Sequence, residues 1–181
     1  MENFLELAKK RQSDRAYLDK AVEQEKINRI IEAAILAPSA CNSQPWKLII
    51  VQDKIKRFEI ADATSTKILA MNHFSKQAPL QIVIVEEPAN FTSKVGGLMK
   101  GKHFPEYDLG IVASHICLAA TDEGLGSCIL GWVNEDRIRK ALSIPGKKRV
   151  AMVILIGYTA QPSRKKLRKS VKELVSFEIY K

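Results

Sequence analysis

Apolar positions along this chain change period several times, and the changes mark its elements. Between Glu25 and Leu36, the residues Ile27, Ile30, Ile31, Ala34 and Ile35 recur at helical spacing and predict an amphipathic helix. A shorter stripe of Phe4, Leu5, Leu7 and Ala8 predicts another over Asn3 to Lys10. Lys47 to Val51, Leu80 to Val85 and Val150 to Tyr158 are compact apolar runs and read as buried strands, with Gln81 the only polar residue of the second. Asp53 and Asn134 are suited to cap helices, the first carrying Ile55, Phe58 and Ala61, the second running from Glu135 to Leu142. Tyr107 to Glu123 is apolar nearly all round, so that helix must be buried on several sides. Gly124 and Gly126 then end it and open a strand. Glu86 to Glu106 holds Pro88, Gly96, Gly97, Gly101 and Pro105 with little periodicity and reads as irregular. At the far end Val175, Phe177 and Ile179 alternate with Ser176, Glu178 and Tyr180, the pattern of an edge strand.

Helices alternating with strands over 181 residues predict one domain, residues 1–181, of α+β or α/β class. With 46% hydrophobic and 27% charged residues, disorder is not suggested. No apolar run approaches the roughly 18 residues that would span a bilayer. The acidic, amphipathic start at Met1 to Leu7 is unlike a signal peptide, and the expectation is a cytoplasmic protein with no membrane partner. Cys41, Cys117 and Cys128 form no C-x-x-C pair; Cys117 and Cys128 lie in apolar runs and read as buried reduced thiols. His73, His103 and His115 lack metal-ligand spacing, so no metal is assigned, and His115 reads as a hydrogen-bonded core residue.

The net charge of +9 allows nucleic acid, acidic membrane or anionic small ligands as partners. Much of it lies late, in Lys147-Lys148-Arg149, Arg164-Lys165-Lys166, Arg168-Lys169 and Lys172. No aromatic residues interleave these and no nucleic-acid-binding motif accompanies them, so nucleic acid is disfavoured. Near the start, Arg11, Ser13 and Arg15 share a side if their segment is extended. Two guanidinium forks and a hydroxyl suit a phosphate and a polar ring edge. Surface arginines pairing with Asp14 or Asp19 are the competing reading.

Between the helix ending near Leu36 and the strand after Trp46 lies Ala37-Pro38-Ser39-Ala40-Cys41-Asn42-Ser43-Gln44-Pro45-Trp46. Its two prolines oppose helix continuation, and its short polar side chains can bond a heteroatom-rich ligand. The stretch resembles the A-P-S-x-x-N-x-Q-P-W signature of the nitroreductase family, flavin mononucleotide (FMN)-dependent NAD(P)H oxidoreductases. Four further segments, in family order, extend the resemblance over nearly the whole chain. Arg11-Gln12-Ser13-Asp14-Arg15 resembles the R-x-S-x-R that grips the FMN phosphate and one ring edge, and Asp108-Leu109-Gly110-Ile111 the opening of the central helix. Gly124-Leu125-Gly126-Ser127-Cys128-Ile129-Leu130-Gly131-Trp132 resembles the G-L-G-S segment under the flavin, and Lys166-Leu167-Arg168 the K-x-R of the phosphate site. A dinucleotide-fold reading of these glycines fails, because they follow a helix and do not lead from a strand into one.

The resemblance implies an α/β sandwich, a mixed and mainly antiparallel sheet flanked by helices, with the C-terminal strand swapped in a homodimer. It implies FMN-binding roles for Arg11, Ser13, Arg15, Pro38, Ser39, Ala40, Asn42, Gln44, Asn72, Ile129, Leu130, Gly131, Lys166 and Arg168, the last two with Arg11 forming a monophosphate clamp. Arg15 and the backbone N–H of Gly131 would tune the flavin, with no other catalytic residue. The Ser39-Ala40-Asn42 loop would act on the partner's flavin, making the dimer obligatory. The short 86–106 stretch implies an open or mobile pocket roof. NAD(P)H and a nitroaromatic, quinone or similar acceptor would use one slot in turn, a ping-pong mechanism. Alternatives within the fold are a non-enzymatic FMN sensor and divergent chemistry such as dehalogenation.

Overall fold

In the computed structural model, residues 3–65 and 71–180 are described. Asn3 caps α1 (Phe4–Lys10) through its side chain, and α2 (Gln24–Ile35) buries Ile27, Ile30 and Ala34, as the spacing of its apolar residues requires. After the proline-bounded loop comes β1 (Trp46–Val51), then α3 (Lys54–Thr64), with the Asp53 carboxylate accepting from Lys56 N at 2.9 Å. Strand β2 (Leu80–Glu86) leads to α4 (Phe91–Lys100) and the 19-residue α5 (Phe104–Asp122). Strand β3 (Gly126–Leu130), α6 (Glu135–Leu142) capped by Asn134, β4 (Val150–Gly157) and a single turn, α7 (Val171–Leu174), complete the chain.

The four strands form one antiparallel sheet in the order β1-β2-β4-β3. Parallel pairing among the described residues is confined to the bridge between Ser13 and Ser127, so the sheet is less mixed than expected. Alternation along β2 and β4 divides the core between the two faces. Leu80, Ile82, Ile84, Ile154 and Ile156 pack with α2 and α5, whereas Val83, Val85, Val153 and Leu155 pack with α3 and α6. This is the helix–sheet–helix sandwich of an α+β fold. Helix α5 buries Leu109, Val112, Ala113, Ile116, Cys117 and Ala120, and no helix among the described residues is long and apolar enough to cross a membrane.

Two expectations are corrected. The 86–106 stretch is not irregular, because α4 fills its middle, capped by the Asn90 side chain and stopped by Gly101 at φ 61°. Its glycines obscure the helical repeat yet serve the packing: a Cβ on Gly97 would lie 2.6 Å from the Lys102 carbonyl oxygen. The second concerns the tail. Residues 175–180 form no strand in this single chain; α7 precedes them, and Phe177, Ile179 and Tyr180 are exposed. A period-two pattern shows which side chains share a face, but a strand also needs an edge to pair with.

Candidate functional site

Apart from Asn72, the predicted site residues gather towards the two ends of α5. Beyond its last turn lies a basic groove of about 420 Å³ lined by Arg11, Gln12, Ser13, Arg164, Lys165, Lys166, Leu167 and Arg168. The 11–15 segment is extended, as expected, and is held against β3 by the hydrogen bond from Asp14 N to Ser127 O at 2.9 Å. The buried Asp14 carboxylate fixes this arm. It accepts from Ser127 N at 3.2 Å, Gln12 Nε2 at 2.8 Å, Thr159 Oγ1 at 3.0 Å and Gln161 Nε2 at 3.3 Å. Gly126 makes room for it, since a Cβ there would stand 2.6 Å from Asp14 Oδ2. Sequence reasoning cast Asp14 only as a surface partner for arginines; an acid inside a basic motif was the signal for an interior role.

The cations of the groove divide into those that build it and those that remain free. The Lys166 ammonium donates to the carbonyls of Ala8, Lys9 and Arg11, capping the C-terminus of α1 with all three of its hydrogens. Partial burial, then Arg11 and Arg168 beside it, lowers its pKa from the ordinary lysine value. Arg164, absent from the expected site, donates to Ser13 O. Arg168 donates to its neighbour Leu167 O at 2.7 Å. The guanidinium groups of Arg11 and Arg15 have no partner among the described residues, and the pairing of either with Asp14 or Asp19 is not formed. The Lys147-Lys148-Arg149 run is different: Lys148 pairs with Glu87, and Arg149 with Glu86 at 3.0 Å and Glu106 at 3.1 Å.

Strand β3 is an edge strand whose outer side, among the described residues, is bridged by Ser13 at Ser127. Because alternate residues of a strand direct their backbone groups to the same edge, Ile129 faces outward where Ser127 does, and Gly131 follows just past the strand's end. Gly131 is exposed with open space around it, and Leu130 between them is buried in the core. The thiols below are inert: burial raises the pKa of Cys117 and pushes Cys128 up to about 11. His115 is half-buried, with Nδ1 3.0 Å from Ile111 O, a helix-internal contact.

At the first turns of α5 sits the Pro38–Gln44 loop. Cys41, Asn42 and Gln44 all have left-handed backbone, at φ 52°, 49° and 46°, a strained conformation for residues with a Cβ. The strain is held by hydrogen bonds. The buried Asp108 accepts from Ala40 N at 2.9 Å, and Ser39 Oγ accepts from Gln44 N at 2.9 Å. The Gln44 amide donates to Asn42 Oδ1 at 3.0 Å, so the polar side chains named as ligand contacts largely face one another. From α4, Asn90 donates to Cys41 O and to Ser43 Oγ. Asn72, also left-handed at φ 60°, turns its amide N–H to Thr64 O at 3.0 Å and is removed from both clusters in contact. Ala70, at the start of its segment, lies outside the described residues.

Residues 8–158 match the Nitroreductase family. The chain belongs to it. A protein of Archaeoglobus fulgidus named as an NADH dehydrogenase/NAD(P)H nitroreductase is 32% identical over 87% of this chain and 86% of its own length. The solved FMN-dependent nitroreductase of Clostridium difficile R20291 superimposes with a TM-score of 0.76 at 31% identity, covering 97% of this chain and 99% of that one. Iodotyrosine deiodinase 1 of Rattus norvegicus is 26% identical over 90% of this chain and 63% of its own. The nitroreductase-type fold and the oxidoreductase expectation accord with that membership.

Proposed function

We propose that this nitroreductase-family chain binds FMN and uses it to pass electrons from NAD(P)H to a nitroaromatic, quinone or similar small acceptor. The observation that carries the reading is the state of the groove and its border: among the described residues the guanidinium groups of Arg11, which lines it, and of Arg15, just beyond its lining, have no partner, while Asp14, Arg164 and Lys166 hold the backbone beside them. Two uncommitted guanidinium groups beside Ser13 fit the donor set of a phosphate monoester and a carbonyl-rich ring edge. Bound there, FMN supplies hydride acceptance and delivery, chemistry that side chains alone do not have.

The chain's own part is to bind, orient and polarise. Arg11, Ser13 and Arg168 hold the phosphate, with Lys166 acting through the end of α1. Arg15 places positive charge near the ring, favouring its reduced, anionic form by direct attraction. The outward backbone of Ile129 and the main chain at Gly131 just past it offer an N–H that no side chain can withdraw. The Pro38–Gln44 loop lies at the other end of a helix about 28 Å long, so it completes a flavin site on a second copy of the chain. The exposed tail from Val171 onward supports a crossing to that copy, and its removal is expected to loosen the dimer and lower FMN content together.

The test is direct. Purified chain is supplied with FMN and FAD, and then NADH or NADPH is added anaerobically while flavin absorbance is followed. Retention of FMN over FAD, bleaching by reduced nicotinamide, and parallel double-reciprocal lines with a quinone acceptor are expected. A chain that takes up no FMN overturns the assignment; one that holds FMN without bleaching is a flavin sensor. Trials of halogenated phenols beside nitroaromatics separate reductive dehalogenation, the chemistry that the deiodinase relative's name describes.

A further inference from the structure

Residues 161–164 run beside the 12–15 arm and are tied to it at both ends. Gln161 Oε1 accepts from Arg15 N at 3.2 Å, and Gln12 Oε1 accepts from Arg164 N at 3.0 Å. The Arg164 side chain then turns back and donates from Nη2 to Ser13 O, midway along the arm. A guanidinium carries five N–H donors, and among the described residues the other four of Arg164 have no partner. One hydrogen bond therefore fixes the group, and most of its donors and its whole charge are left over.

Electrostatics separates the cations of this region into two sets. Burial lowers the pKa of the Lys166 ammonium, and Arg11 and Arg168 lower it further, so these three stand together. Burial raises that of the Cys128 thiol, and Arg15 and Arg164 pull it back down, so these two share the end of the arm that carries Arg15. The buried Asp14 carboxylate acts on the same thiol in the opposite sense. Arg15 and Asp14 alone would leave that end close to neutral, with little preference for an anion. Arg164 restores a net positive charge. Resting on the FMN assignment above, we infer that Arg164 is a second cation at the ring edge and that it, with Arg15, makes the site prefer the reduced, anionic flavin.

The readout is a potential, not a rate. The FMN-loaded chain is reduced anaerobically against a reference dye to give the midpoint of the bound flavin, and oxidised FMN is titrated by fluorescence quenching. Arg164→Gln, Arg164→Met and Arg164→Lys are measured beside the unaltered chain. Both uncharged variants should lose about tenfold in preference for reduced over oxidised FMN, a midpoint more negative by about 30 mV for a two-electron couple. Their affinity for oxidised FMN should change less than that. Arg164→Lys keeps the charge and should keep the midpoint; a lysine variant that behaves like the glutamine one overturns the charge argument. An unchanged midpoint in the uncharged variants overturns the proposal. So does an equal loss of both redox forms, or a failure of those variants to hold FMN, since either marks a phosphate contact or a structural one. An unaltered chain that takes up no FMN overturns the FMN assignment itself, whereas FMN bound with a midpoint indifferent to Arg164 overturns this proposal alone.

Discussion

The two ends of α5 are built on opposite principles. At the basic groove, the backbone is extended and relaxed, and recognition lies in cationic side chains that reach outward. At the Pro38–Gln44 loop, Ser39, Asn42 and Gln44 bond within the loop and Asp108 bonds it from α5, so that a strained backbone is held and recognition lies in the main chain they shape. Charge-based recognition is screened by salt, whereas recognition by a fixed backbone is not. The comparison teaches that a ligand held by both ends is tuned separately in affinity and in orientation.

The largest effect is expected at Asp14, the buried acid that anchors the arm beside the groove. Asp14→Ala strands four donors and removes the anchor of the arm, costing about 3 kcal/mol or more of stability by urea denaturation. A loss below about 1 kcal/mol would show that the arm is held by its strand contact alone. Next is Arg11→Ala, which should weaken FMN binding by roughly 1.5–3 kcal/mol, the range for a hydrogen bond to a charged group. The deficit should shrink as salt is raised in fluorescence titrations; a salt-independent deficit would place Arg11 in structure instead of recognition.

At the other end, Asp108→Ala removes the acceptor of Ala40 N and should cost about 1–2 kcal/mol of stability. FMN affinity measured at several salt concentrations should fall by a constant factor, the reverse of the Arg11 behaviour. The smallest effect is a gain. Cys41→Gly relieves a left-handed residue and should raise stability by about 0.5–1 kcal/mol in thermal melts, with the groove unaffected. A decrease would show that the Cys41 side chain itself is needed.

What could be read from the chain follows the same division. The strands, the caps Asp53 and Asn134, the end of α5 at Gly124 and the all-round apolar character of α5 are local patterns, and each was legible. So was the gathering of Arg11, Ser13, Lys166 and Arg168, through a family resemblance in which order along the chain stands in for proximity. What sequence could not give were contacts across long separations. Lys166 reads as a phosphate ligand until the carbonyls at the end of α1 are seen around it. Asp108 reads only as part of the opening of the central helix until Ala40 is found against it. Helix α4 was hidden because Gly96 and Gly97, the second required by close packing, carry no apolar signal.

The length of α5 has a consequence of its own. Its rigid rise acts as a ruler between the two ends, and it also sets their angular phase. One residue inserted mid-helix would lengthen the ruler by only about 1.5 Å but turn the Asp108 end by about 100° against the Gly126 end. The composite site would be lost by rotation long before it was lost by distance. Drift in this protein is therefore freer to vary the loops beyond α5 than to add or remove a residue within it.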